Sequence, residues 1–141
     1  MIEFLKNQTF YYEKTTFERE NDERLIVIDC KVSRHKVFLA LDTGASHTSI
    51  DLAALIIAGY NVSDALREVE IETASGVIKA YVFKIKTFFA IDTLLKDIEV
   101  CSYDFLSYQL LSDFDGVLGL DFFKGVKFCI DMNQSIITIQ E

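Results

Sequence analysis

The chain has 141 residues, half of them hydrophobic, enough for one domain with a substantial core and too few for two ordinary ones. A formal charge of -8 argues against nucleic acid or an anionic membrane as partner, since either would need a face of clustered Lys and Arg. Neither partner is expected.

The first ten residues carry neither the apolar core nor the cleavage site of a secretory signal, and no run approaches the roughly 18 apolar residues of a membrane span, so a soluble, cytoplasmic protein is expected. Residues 1–22 read as an N-terminal arm without a clear regular element, and its charge run from Glu18 to Arg24 reads as a solvated loop. Alternation of apolar and polar residues, rich in Val, Ile, Phe, Tyr and Thr, then predicts strands at Leu25–Val32 and Val37–Leu41 around a polar turn that holds His35. Asp51 to Ala58 opens with an N-cap type residue and stops before Gly59, which predicts a helix. Strands follow at Val69–Thr73 and Val77–Ile85, joined by Ala74-Ser75-Gly76, whose glycine supplies the positive φ of a tight turn. Ile98–Tyr103 is a further strand, and Phe105–Leu111 has unclear character. A short helix is predicted after Gly119, and Val126–Asp131 and Ile136–Ile139 form a hairpin across Asn133-Gln134. The fold class is mainly β with one or two short helices.

Cys30, Cys101 and Cys129 lie far apart in strand-like segments. They match no metal spacing and read as reduced thiols of a reducing compartment. With two histidines besides, no metal site and no cofactor is expected. Ser46 and His47 are adjacent, and in an extended segment their side chains would point to opposite sides, which argues against a nucleophile–base pair.

The chemistry-bearing stretch is Asp42-Thr43-Gly44, delivered by the apolar run Phe38-Leu39-Ala40-Leu41 and followed by the small residues Ala45 and Ser46. Alone the triplet is a common turn; at the end of a buried strand it is framed as a site. A second feature, Asp115-Gly116-Val117-Leu118-Gly119, sets two apolar residues and a glycine before the second short helix. Asp115-Gly116 reads as a turn, and Asp121 as a residue that caps or lines that helix.

An apolar strand ending in Asp-Thr-Gly-Ala, a flap-like hairpin, and apolar-apolar-Gly before a short helix resemble, in this order, the retropepsin-like aspartic proteases. The resemblance covers Leu25 to Ile139 and implies a closed, β-barrel-like acid protease fold for residues 23–141. It implies that Asp42 is the catalytic acid, that Thr43 bonds to the opposing loop, and that Gly44 allows close approach of the backbone. It also implies that Ala45 supports the site, that Val117, Leu118 and Gly119 pack beside the loop, and that Ala74, Ser75, Gly76 and Ile78 form a flap over the substrate. Ala45, Ile78 and Val117 are candidate pocket residues. Where viral members carry an acid and an arginine, this chain has Ser46 and Leu120, so their style of dimer support is absent.

A lone carboxylate with a free pKa of about 3.9 is a poor general base. Two held about 3 Å apart cannot both ionise cheaply and share one proton, an effect for which the aspartic-protease dyad is the standard example. The chain has one Asp-Thr-Gly, and Asp115-Gly116 lacks the hydroxyl residue of a second copy. The expectation is therefore a homodimer that pairs two Asp42 side chains and hydrolyses extended peptide or protein substrates. The alternative is a catalytically silent dimerisation or peptide-binding module of the same fold.

Overall fold

The computed structural model describes residues 5–9, 11–14, 24–73, 76–104 and 114–140. β3 (Arg24–Val32) and β4 (His35–Leu41) form an antiparallel hairpin in the register Val27↔Ala40 to Val32↔His35. Its two-residue turn, Ser33-Arg34, takes positive φ at both positions, the conformation whose twist matches that of the flanking strands. Ser33 secures the turn by donating its N–H to the Thr87 carbonyl at 2.9 Å and sharing a 2.6 Å hydrogen bond with the Tyr60 hydroxyl.

After β4 come the three-residue strand β5 (Ser49–Asp51) and the helix α1 (Leu52–Ile57). Asp51 stands at the helix N-cap, although its side chain makes no capping hydrogen bond. Gly59 ends the helix as expected, with φ +100°, and Leu55 anchors it in the core. β6 (Arg67–Thr73) pairs with the first half of β7 (Gly76–Ala90), and Gly76 has φ +123°; Ala74 and Ser75 lie outside the described residues. β7 is longer than its alternation suggested. It turns at Ile91-Asp92, again with two positive φ values, into β8 (Thr93–Tyr103). The Phe105–Leu111 segment lies outside the described residues. β9 (Gly116–Leu118), a 3-10 turn at Leu120–Phe123, β10 (Lys127–Asp131) and β11 (Ile136–Gln140) complete the chain.

The strands β3-β4-β9-β5-β8-β7 form a ring, closed where β7 returns to β3 through Lys31↔Phe89 and Val32↔Phe88. Closure removes the open edges of these six strands and encloses Ile28, Leu39, Ile50, Phe83, Ile85 and Leu118, all fully buried. The fold is the mainly β, closed-barrel architecture expected, with β6 added outside the ring through its pairing with β7.

Two strands lie within the N-terminal arm. β1 (Leu5–Thr9) runs antiparallel to β11, and β2 (Tyr11–Lys14) runs antiparallel to β3; residues 1–4, 10 and 15–22 of the arm lie outside the described residues. A separate three-stranded sheet, β1-β11-β10, thus gathers both ends of the chain. Among the described residues no helix is long and apolar enough to cross a membrane.

Candidate active site

The site is built where β9 threads between the two arms that flank Asp42. β4 pairs with β9 in parallel (Leu39↔Gly116 to Leu41↔Leu118), while β5 pairs with it antiparallel (Ser49↔Val117, Ile50↔Gly116). Chain and insert together make a ψ shape, with residues 42–48 as its head. The crossing tolerates no side chain at either glycine of the insert. A Cβ on Gly116 would sit 2.0 Å from the Ser49 carbonyl oxygen, and one on Gly119 would sit 2.6 Å from the His47 carbonyl carbon.

Hydrogen bonds hold the head from both sides. Asp42 donates its N–H to the Leu118 carbonyl at 3.1 Å, Ala45 donates to the Asp42 carbonyl at 3.1 Å, and Leu120 donates to the Ala45 carbonyl at 2.8 Å. Asp42, Thr43 and Gly44 are exposed, and the Gly44 N–H donates to Asp42 Oδ1 at 2.9 Å, fixing the carboxylate's orientation. A Cβ on Gly44 would come within 3.2 Å of that same oxygen, so glycine keeps the carboxylate uncrowded.

The other two acids of the motif serve the scaffold. Asp115 is the bend that admits β9: its Oδ2 accepts the Phe38 N–H at 2.9 Å, its N–H donates to the Phe38 carbonyl at 2.7 Å, and its carbonyl accepts the Asp51 N–H at 2.7 Å. Asp121 accepts the Thr48 N–H at 3.0 Å and the Thr48 hydroxyl at 2.8 Å, and that hydroxyl accepts the Gly119 N–H at 3.1 Å. The sequence pointed to Asp121 only as a residue that caps or lines the short helix; its link to Thr48, 73 positions away, needs the fold.

A cleft of about 780 Å³ opens over Asp42, with Ala45, Ser49, Val117, Ile71 and Val82 in its walls. Ala45 and Val117 line it, whereas Ile78 is buried on β7, only 6% exposed, and does not. Leu118 is fully buried beneath the loop. Arg67 of β6 reaches across the wall to Glu99 of β8, with Nη1 to Oε1 at 2.7 Å, a pair for which the sequence carried no signal. Cys101 also lines the cleft; burial, reinforced by Asp121, pushes its thiol pKa up, against the opposing pull of Arg67.

Ser46 Oγ and His47 Nδ1 lie 2.8 Å apart, contrary to the alternation argument, because residues 43–47 bend instead of extending. Both are exposed. Among the described residues no three His, Cys, Asp or Glu side chains are grouped to hold a metal ion.

An aspartate presented on a ψ-shaped loop by a closed six-stranded barrel, in a cleft walled on one side by β6, is the arrangement of the retropepsin-like aspartic protease fold. The chain belongs to the family described as gag-polyprotein putative aspartyl protease, whose sequence profile matches residues 28–125. It is similar in structure to a retropepsin-like aspartic protease from Rickettsia conorii, at 17% identity over 99% of this chain and 94% of the other, with a TM-score of 0.63. EIAV protease complexed with the inhibitor HBY-793 is similar at 16% identity over 77% of this chain and 91% of the other, with a TM-score of 0.53. No curated protein sequence matches the chain significantly.

Proposed function

We propose that the protein is an aspartic endopeptidase working as a two-fold homodimer in which the Asp42 carboxylates of two copies share one proton and activate a water. One carboxylate takes a proton from the water as its oxygen attacks the peptide carbonyl, and the other protonates the carbonyl oxygen. The tetrahedral intermediate collapses when a proton passes to the amide nitrogen, releasing an amine and a carboxylic acid without a covalent enzyme intermediate.

The observation that carries this reading is the division of labour among the acids of the motif. Asp115 and Asp121 tie distant segments together through Phe38 and Thr48, while Asp42, its Oδ1 accepting the Gly44 N–H of its own turn, stands exposed at the head of the loop and lines the cleft. A second copy is the source of an equivalent partner, through the isologous contact typical of dimers. Thr43, exposed beside Asp42, faces the copy across the two-fold axis and steadies both loops.

The substrate is an extended peptide. β6 is the outermost strand of its sheet, so among the described residues its outer edge is open to main-chain pairing, and Ile71 on that strand lines the cleft. Closure of the flap over the bound peptide excludes water from the reacting groups. The free Cys30, Cys101 and Cys129 suit a reducing cytoplasm. The reading is tested with wild type and Asp42→Asn on a peptide mixture from acidic to neutral pH. Cleavage that disappears in the variant supports it, and the same products from both proteins remove it.

A further inference from the structure

The barrel closes through only two residue pairs, Lys31↔Phe89 and Val32↔Phe88, and a groove of about 260 Å³ lies over this seam. Lys31, Arg34, Thr87, Phe89 and Leu94 line it, and none of them lines the cleft over Asp42. The register explains how they meet. Lys31 of β3 stands opposite Phe89 of β7, and Phe89 stands opposite Leu94 of β8, so a cation and two apolar side chains form one row across three strands. Val32, Phe88 and Ala90 are buried, which turns Lys31 and Phe89 to the outer face. Arg34 arrives from the β3–β4 turn, which is pinned to β7 where the Ser33 N–H donates to the Thr87 carbonyl at 2.9 Å.

Two properties set this row apart. Phe89 and Leu94 are 38% and 53% exposed and lie side by side, where surface apolar residues are ordinarily scattered singly. Positive charge also gathers here in a chain of formal charge -8, with no acid among the lining residues. Lys96, opposite Thr87, continues the cationic row along β8. Asp29, two positions before Lys31, is engaged by Lys36 at 3.6 Å, and among the described residues no ion pair engages Lys31, Arg34 or Lys96.

We infer that this groove docks a protein segment in which carboxylates flank one large apolar side chain. Arg34 and Lys31 supply donors for the carboxylates, Arg34 in bidentate form, and the Phe89–Leu94 pair supplies the apolar contact. The groove is smaller than the roughly 300–1,000 Å³ of a small-molecule site and suits a side chain. An anionic bilayer offers similar charges, but so broad a surface also meets the acidic remainder of the chain. A short segment meets the groove alone, because charges farther than about 8–10 Å away are screened at ordinary salt. This surface is independent of the peptidase reading and stands whether or not Asp42 cleaves.

The test uses the full chain carrying Asp42→Asn, so that cleavage of the probe does not enter, and a fluorescein-labelled peptide of sequence Glu-Asp-Phe-Glu-Asp-Glu. Fluorescence anisotropy is expected to show saturable binding that weakens as salt rises, with amide NMR shifts centred on Lys31, Arg34, Thr87, Phe89 and Leu94. Added singly to that chain, Lys31→Glu, Arg34→Glu and Phe89→Ser each weaken binding about tenfold, and Lys31→Arg preserves it. Lys124→Glu, an equal change of charge outside the groove, leaves it within about twofold. The same peptide with lysine at every acidic position does not bind there. No binding at about 1 mM peptide, shifts centred elsewhere, or an equal loss in Lys124→Glu overturns the proposal. Phosphatidylserine vesicles are the second probe. Vesicles that capture the chain but not its Lys31→Glu form, with no peptide binding, assign the patch to a lipid surface and overturn the proposal as well.

Discussion

Thr48 donates both its backbone N–H and its hydroxyl to the carboxylate of Asp121, at 3.0 and 2.8 Å, tying the end of the Asp42 loop to the 3-10 turn that follows β9. Thr48 is only 3% exposed, so without that acceptor two donors are left buried. Asp121→Ala is expected to lower stability by about 2 kcal/mol in urea unfolding, and Asp121→Asn by less, since its amide oxygen still accepts one of the donors. Because Gly119 and Leu120 bond to the same loop, the alanine variant should also lose peptidase turnover. An unchanged urea midpoint in Asp121→Ala would show that the staple contributes nothing.

The threading of β9 makes a contrasting pair of glycine substitutions informative. Gly119→Ala drives a methyl group to 2.6 Å from backbone that cannot rotate away, and is expected to cost on the order of 3 kcal/mol or to prevent folding. Gly125→Ala meets nothing within 4 Å but must hold φ +80°, which costs about 1 kcal/mol. Circular dichroism melts of the two variants give the comparison. Equal losses would contradict the close crossing at Gly119.

Much of this architecture was legible in the chain and some of it was not, for identifiable reasons. Alternation located β3, β4, β6, β7, β8, β10 and β11, because each carries apolar residues at every second position along part of its length. β5 and β9 are three residues long and carry no period, and they are the strands that bracket the site. The polar turn after β3 was legible, although it spans only Ser33-Arg34 and His35 begins β4, whereas the turn at Ile91-Asp92 takes positive φ without glycine, left little mark in composition and hid the far half of β7. Asp42 stood out through its apolar approach. Thr48–Asp121 and Arg67–Glu99 join positions distant in the chain and become visible only once strands are paired.

The thiols give a pH-dependent signature. Burial, then the neighbouring Asp29, pushes the Cys30 thiol far above its ordinary range, and burial raises Cys101 as well. A raised folded-state pKa means that, above the ordinary thiol value, the unfolded chain releases protons that the folded chain retains. Stability from this source is therefore intact below about pH 9 and declines as pH rises beyond it, by up to about 1.4 kcal/mol per pH unit for each thiol concerned. Urea unfolding from pH 7 to 10 should show this fall, reduced in Cys30→Ala. At pH 8 iodoacetamide should modify exposed Cys129 while leaving Cys30 untouched until the protein unfolds.

Subunit mixing bears most directly on the shared-site mechanism. Wild type and Asp42→Asn are combined at constant total protein, allowed to exchange, and assayed on one peptide. If a working site needs an aspartate from each copy, an equal mixture retains about one quarter of the wild-type activity, because hybrids are silent and half of random dimers are hybrids. Activity that instead follows the wild-type fraction linearly, with about one half retained, would mean that each chain cleaves with its own Asp42 alone and would contradict the account.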